Sequence, residues 1–127
     1  LGFSTADASD IYLPIDDSAD APTVASQESD PDSLLNTVRS IIALRHQEEE
    51  LQADAPLYIV CSDAGKPFVY RRGALLCVVN PEGKELDVTL PQNVAMHLQG
   101  DVLFEIGDIS LREGIISIGA QSFAVIK

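Results

Sequence analysis

The sequence has no tryptophan, one methionine, two cysteines and two histidines, and only 8 basic residues against 20 acidic ones. Each shortage excludes something. With no Trp and aromatics at 6% of the chain, a dedicated sugar-binding platform of large flat rings is not supported. A formal net charge of −12 argues against nucleic acid or an anionic membrane surface as partner, because both repel a polyanion. No apolar run approaches the roughly 20 residues needed to span a bilayer. Two cysteines without clustered histidines make no metal site. Glycine-rich phosphate loops are absent, and no cofactor is expected. Cys61 and Cys77 lie inside apolar, strand-like runs, so both are expected as buried free thiols. The run 67–72 between them keeps them off adjacent strands, and the setting that suits them is a reducing cytoplasm.

What is present is uneven. A chain of 127 residues holds one domain with a modest core. Residues 1–55 carry 12 acidic and 2 basic side chains, net −10, whereas residues 56–127 carry 8 and 6, net −2. The acidity therefore belongs to the N-terminal part. Residues 1–29 lack periodicity and read as an extended, Pro-punctuated strap, with one apolar patch at Ile11, Tyr12, Leu13 and Ile15 broken by Pro14. Asp16, Asp17 and Asp20 read as a solvated loop, since a calcium loop needs ligands at alternating positions around a glycine.

The best-formed element is a helix expected over Asp30–Gln47, with its connector running to residue 50. Asp30 is placed to cap the first turn, Pro31 suits the first helical position, and Asp32 favours the positive end of the helix dipole. At roughly 100° per residue, Leu34, Leu35, Val38, Ile41 and Ile42 form one apolar stripe about 120° wide. Arg45 projects near the middle of that stripe, suited either to snorkel to water or to pair with a carboxylate on whatever the stripe packs against. These six residues are the candidate domain-packing site. Glu48–Glu50 oppose the dipole at the C-terminal end and stop the helix.

Residues 51–127 change character. LYIVC (57–61), PFVYRR (67–72), ALLCVVN (74–80), KELDVTL (84–90), VLFEI (102–106), DISL (108–111), GIISI (114–118) and SFAVIK (122–127) are short β-branched or aromatic runs separated by turn residues. ALLCVVN is apolar on both faces and predicts a central strand. Leu86, Val88 and Leu90 alternate onto one face, and NPEG at 80–83 is a Pro-containing turn. VAMHL, within the ambiguous stretch 91–102, reads as a short strand. The pattern predicts a mainly β fold, a small antiparallel β-sandwich preceded by the strap and one α-helix.

Chemistry is hard to find in these residues. His46 and His97 lie on different elements, and no serine sits in a nucleophile-elbow context. The many carboxylates lie in solvated surroundings with no cause for perturbed titration. Arg71 and Arg72 end a strand before Gly73 and read as an exposed strand end, or alternatively as a contact to a neighbouring domain.

A series of phrases nevertheless occurs in one order: Gly2-Phe3-Ser4-Thr5, Ile11-Tyr12-Leu13-Pro14-Ile15, Val24-Ala25-Ser26-Gln27 and Asp30-Pro31-Asp32-Ser33-Leu34-Leu35-Asn36. Arg39, Ile41-Ile42-Ala43-Leu44-Arg45 and Leu51-Gln52 follow. The series resembles the region that closes the barrel of α-glucosidase-type members of the α-amylase family of glycoside hydrolases (family thirteen). In that family a strap leads to the last helix of a (β/α)₈ barrel, and a small β-sandwich follows. Phe68-Val69-Tyr70-Arg71-Arg72 and Leu75-Leu76-Cys77-Val78-Val79-Asn80 resemble its early strands. Gly114-Ile115-Ile116-Ser117-Ile118 with Ser122-Phe123-Ala124-Val125-Ile126 resembles its closing hairpin. Thr23, Leu1, Tyr12 and Thr37-Val38 depart from the family's common residues (Asn, Ala, Trp and an aromatic pair), which leaves the substrate subgroup open.

The resemblance implies three regions: 1–29 a strap from barrel closure, 30–50 the last barrel helix and connector, and 51–127 the sandwich. It also implies that the family's nucleophilic Asp, acid/base Glu and stabilising Asp, which give a retaining mechanism, lie upstream of anything present. The chain itself is then catalytically inert, a C-terminal piece of a retaining α-glycosidase acting on α-glucosides in carbohydrate metabolism. Its main partner is the catalytic barrel, with a homodimer through the helix stripe as a further option. The competing expectation is an independent carbohydrate-binding or protein-interaction module. Within this chain the stripe is expected to find cover on the sandwich or on a second copy, because a bare stripe is an association site.

Overall fold

The computed structural model describes residues 6–14, 16 and 18–127. The phrase Gly2–Thr5 and the residues Ile15 and Asp17 lie outside them. The chain forms two compact units, 1–43 and 44–127. The division falls inside a helix, so the last turn of that helix belongs with the β unit.

In the first unit the described residues before 30 include two short helical elements. They are a 3₁₀ turn at Ala8–Asp10 and a short helix, α1 (Val24–Glu28). Helix α1 exists because Thr23 and Ser26 make a reciprocal capping box: Ser26 N donates to Thr23 Oγ1 at 3.0 Å, and Thr23 N donates to Ser26 Oγ at 3.2 Å. The long helix, α2, spans Leu34–Gln47 and not Asp30–Gln47. Asp30 Oδ1 accepts from the amide of Asp32 at 3.0 Å, a local turn that competes with helix, and Ser33 takes over the capping role. Its carbonyl accepts from Thr37 N at 2.9 Å and its hydroxyl from Asn36 N at 3.3 Å.

The second unit is mainly antiparallel β and is not a closed barrel. Strands β1 (Leu57–Cys61), β2 (Phe68–Arg72), β3 (Leu75–Asn80), β8 (Ser122–Ile126) and β5 (Val102–Ile106) form one sheet in that order. Strands β4 (Leu86–Thr89), β7 (Ile115–Ile118) and β6 (Ile109–Arg112) form the second. All eight run where turn chemistry and β-branched runs predict them, and β3 is the central strand of the larger sheet. Residues 91–102 depart from expectation. Gln92–Ala95 is a short helix, α3, entered from Pro91, whose carbonyl accepts from the amides of Val94 and Ala95.

Alternation along β3 serves two cores. Leu76 and Val78 join Val69, Val88, Ile116, Ile118, Ala124 and Ile126 between the sheets. Leu75 and Cys77 point to the opposite face, where they are buried with Val125 and with Leu44 from the end of α2. That second core is why β3 reads as apolar on both faces. Two glycines are required by close approach. Gly73 opens the two-residue β2–β3 hairpin at φ +55°, and a Cβ there would lie 2.3 Å from Glu50 Cγ. Gly107 follows β5 at φ +75°, with Ser122 Oγ only 2.1 Å from the position of a Cβ.

Cys61 and Cys77 are free thiols on strands separated by β2, as expected, but only Cys77 is buried; Cys61, at the end of edge strand β1, is half-buried. Tyr70 lies directly across from Cys77 and is hydrogen-bonded to it. Burial, followed by the neighbouring thiol, pushes the Tyr70 phenol from 10.0 up to about 12. Burial also pushes the Cys77 thiol above its ordinary 9.0, partly offset by the Tyr70 hydrogen bond and the Arg72 charge. Both groups are acids with raised values, so the folded state favours their neutral forms. The stability they contribute is full below pH 9 and is lost as pH climbs through the folded values. We therefore expect the urea midpoint to fall between pH 9 and pH 12, and to fall less steeply in Tyr70→Phe. Thiol titration before and after unfolding should show Cys77 reacting only once the chain is unfolded. An equal slope in the variant, or rapid native labelling of Cys77, would contradict this pairing.

Candidate docking surface

Among the described residues no constellation of catalytic side chains assembles. His46 and His97 are both exposed, and the ring Nδ1 of His97 donates to Asn93 O at 2.8 Å. Among the described residues no three His, Cys, Asp or Glu side chains come together to hold a metal ion. In Asp16, hydrogen bonds from the Ser18 hydroxyl (2.6 Å) and amide (3.0 Å) hold the carboxyl below its usual range, which is a local turn. Arg71 and Arg72 are half-buried and not an exposed strand end. Arg71 donates through Nε and Nη2 to Gly73 O at 3.3 and 3.0 Å, and Arg72 Nη2 donates to Gln52 O. The Nε of Arg72 is buried without a partner.

The six helix residues separate into two groups. Leu34, Val38, Ile42 and Arg45 are exposed, with Leu34 at 72%, Val38 at 44% and Ile42 at 49%; Leu35 and Ile41 are half-buried. Three of the five apolar side chains of the stripe are thus exposed in the single chain, where a second copy, the other cover expected for them, is not present. The covered side of α2 runs along Ser33, Thr37, Ile41 and Leu44 instead, and Leu44 is the one buried residue of the helix proper. This row follows the i, i+4, i+8, i+11 spacing on the edge of the apolar stripe. Polar Ser33 and Thr37 conceal it from a hydropathy reading. Arg45 has no carboxylate within salt-bridge reach among the described residues, where the ion pairs are Arg39–Glu28 and Lys127–Glu48.

The face is held firmly. Ser33 Oγ donates to Gln27 O at 2.7 Å, Gln27 Oε1 accepts from Leu35 N at 2.9 Å, and Asn36 Nδ2 donates to the carbonyls of Gln27 (2.9 Å) and Asp30 (2.8 Å). Arg39 Nη2 reaches Glu28 Oε1 at 3.1 Å. These bonds fix the start of α2 against α1 and present Leu34, Val38 and Ile42 on a rigid support. Exposed apolar side chains on an ordered helix mark an interaction surface.

A second apolar surface, unrecognised in the sequence, lies on the edge strand of the larger sheet. Leu57, Tyr58 and Ile59 of β1 are 52%, 59% and 61% exposed. Register places Leu57 and Ile59 on the same face as Phe68 and Tyr70, whose rings are 5.4 Å apart. Long edge strands with bare apolar side chains are normally covered. Only the pairing register separates this strand from any other short apolar run.

No protein-family model matches the chain, and no curated protein does. Solved structures do. An isomaltulose synthase from Erwinia rhapontici NX5 is similar over 83% of this chain and 19% of its own, with TM-score 0.69 and 22% identity. The trehalulose synthase from Pseudomonas mesoacidophila MX-45 is similar over 83% of this chain and 19% of its own, with TM-score 0.69 and 19% identity. Eubacterium rectale Amy13B is similar over 83% and 21%, with TM-score 0.65 and 22% identity. These are enzymes of the α-amylase family. The chain spans about a fifth of the length of each, and over that stretch its fold is the one these α-amylase-family enzymes carry.

Proposed function

We propose that this chain is the C-terminal, non-catalytic part of an α-glucosidase-like member of the α-amylase family, and that it packs on and stabilises the catalytic (β/α)₈ barrel of the parent protein. The observation that carries the reading is α2. Its sequence phrase resembles the last barrel helix of that family, and Leu34, Val38 and Ile42 of its apolar stripe stand exposed on a rigid mount. A last barrel helix must behave so when seen apart from its barrel, because the side that would face the neighbouring barrel elements has nothing to bury against. The β1–β2 surface, bare at Leu57 and Ile59, suits a second contact with the same partner. On α2 itself, Arg45, which has no ion pair among the described residues, gives the stripe a site for a carboxylate of the partner.

No residue here matches the family's catalytic carboxylates, so the purified chain should release no glucose from maltose, isomaltose or p-nitrophenyl α-glucoside. A protein extended upstream through the same reading frame should hydrolyse at least one of them. Turnover by the 127-residue chain above blank, or an upstream frame without barrel-like βα units, would overturn the proposal. A glycan array decides the competing module: saturable binding to one glycan class would favour it.

A further inference from the structure

Within the β unit, the β2–β3 hairpin, α3 and the segment after it leave a cavity of about 300 Å³. Its lining combines the apolar side chains of Leu76, Val94 and Leu98 with Arg71, His97 and the turn at Gly73. We propose that this cavity is a binding site for a small organic carboxylate with a compact apolar body.

Three observations support the assignment. The first is charge. In a chain with 20 acidic and 8 basic residues, the lining holds an Arg and a His and no carboxylate. A cavity so lined concentrates anions that the rest of the surface repels. The second is preorganisation. Arg71 is tethered through Nε and Nη2 to Gly73 O, and among the described residues it has no ion pair, so its remaining donors are oriented and available. His97 is fixed as well: a carbonyl only accepts, so Nδ1 donates in the 2.8 Å contact with Asn93 O, which holds the ring in place at the lining. The third is size. The volume lies at the lower end of the roughly 300–1,000 Å³ typical of small-ligand sites, and an apolar lining with few polar groups is their usual make-up. A guanidinium beside apolar side chains selects a planar carboxylate attached to a hydrocarbon over a free inorganic anion.

Benzoate is a suitable probe, with benzyl alcohol as a neutral analogue of similar shape. Titration of the isotope-labelled chain should give saturable benzoate shifts at Gly73, Val94, His97 and Leu98. Benzyl alcohol should bind at least about ten-fold more weakly, as should benzoate to Arg71→Gln, each equivalent to ~1.4 kcal/mol. His97→Gln, which leaves the hairpin tether untouched, should weaken benzoate by a smaller factor and serves if the Arg71 variant does not fold. The proposal is overturned by an absence of saturation, by shifts elsewhere, or by equal affinity for the neutral analogue.

Discussion

Replacing Asn80 by leucine should cost the β unit about 3–5 kcal/mol, and replacing it by aspartate more than that at neutral pH. Asn80 is 1% exposed at the end of the central strand. Its Nδ2 donates to the carbonyls of Lys84 (2.8 Å), Ile118 (3.2 Å) and Gly119 (2.6 Å), and its Oδ1 accepts from Glu82 N at 3.0 Å. One amide thus ties the β3–β4 turn to the β7–β8 turn and joins the two sheets at one end. Leucine has similar bulk but leaves the partners unserved. The Lys84 carbonyl can turn to water, whereas the Ile118 carbonyl is buried, and each orphaned buried group costs roughly 1–3 kcal/mol. Aspartate also sets a buried carboxylate oxygen against three carbonyl oxygens. Its folded value would be raised, so the variant's loss should shrink as pH falls toward the usual carboxylate range and the acid regains one donor. Urea unfolding followed by circular dichroism at pH 7 and pH 4, referred each time to the native chain, measures both effects. A loss below about 1 kcal/mol, or one independent of pH for aspartate, would mean that the network contributes little.

Asn80 also shows where sequence reading stops. The segment NPEG announces a turn, because Asn and Pro favour turns through their own local geometry. That the amide reaches residues 118 and 119 is a property of the assembled sandwich, with no local signal. The same division runs through the chain. The eight strands were legible because β-branched runs and turn residues act locally, and β3 was legible as central because both its faces are apolar. The start of α2 was misplaced because Asp30 and Ser33 are both good caps, and only the turn at Asp32 decides between them. Helix α3 was hidden because VAMHL is a short, mostly apolar run that suits either element, while Pro91, whose carbonyl accepts from Val94 N and Ala95 N, starts the helical turn. The docking stripe was legible as a period, but not which side of it is covered, since the buried row passes through Ser33 and Thr37. Leu44, the residue that anchors the helix end in the second core, sits at the stripe's margin and needs the sheet to reveal its role.

The double substitution Val38→Asp with Ile42→Asp should leave the 127-residue chain nearly as stable as before and abolish activity in the parent protein. In the chain both side chains are exposed, at 44% and 49%, so carboxylates there meet water and surface changes usually stay within about 0.5 kcal/mol each. They would also suppress any self-association through the stripe, because like charges would face each other across a symmetric contact. In the parent, if α2 closes the barrel, the same two positions are buried. An unpaired buried carboxylate costs several kcal/mol even after relaxation, so two would match or exceed the ~5–15 kcal/mol that holds a typical domain folded. Thermal melts of both proteins, α-glucoside hydrolysis by the parent, and sedimentation of the chain read out all three consequences. A melting loss of similar size in chain and parent would place the stripe's role inside this chain. An active parent carrying both aspartates would show that the helix does not close a barrel. A chain that changes from dimer to monomer while the parent stays active would assign the stripe to a second copy. The expected split, a stable chain beside an inactive and unfolded parent, arises only if the apolar side of α2 is built for a body outside these 127 residues.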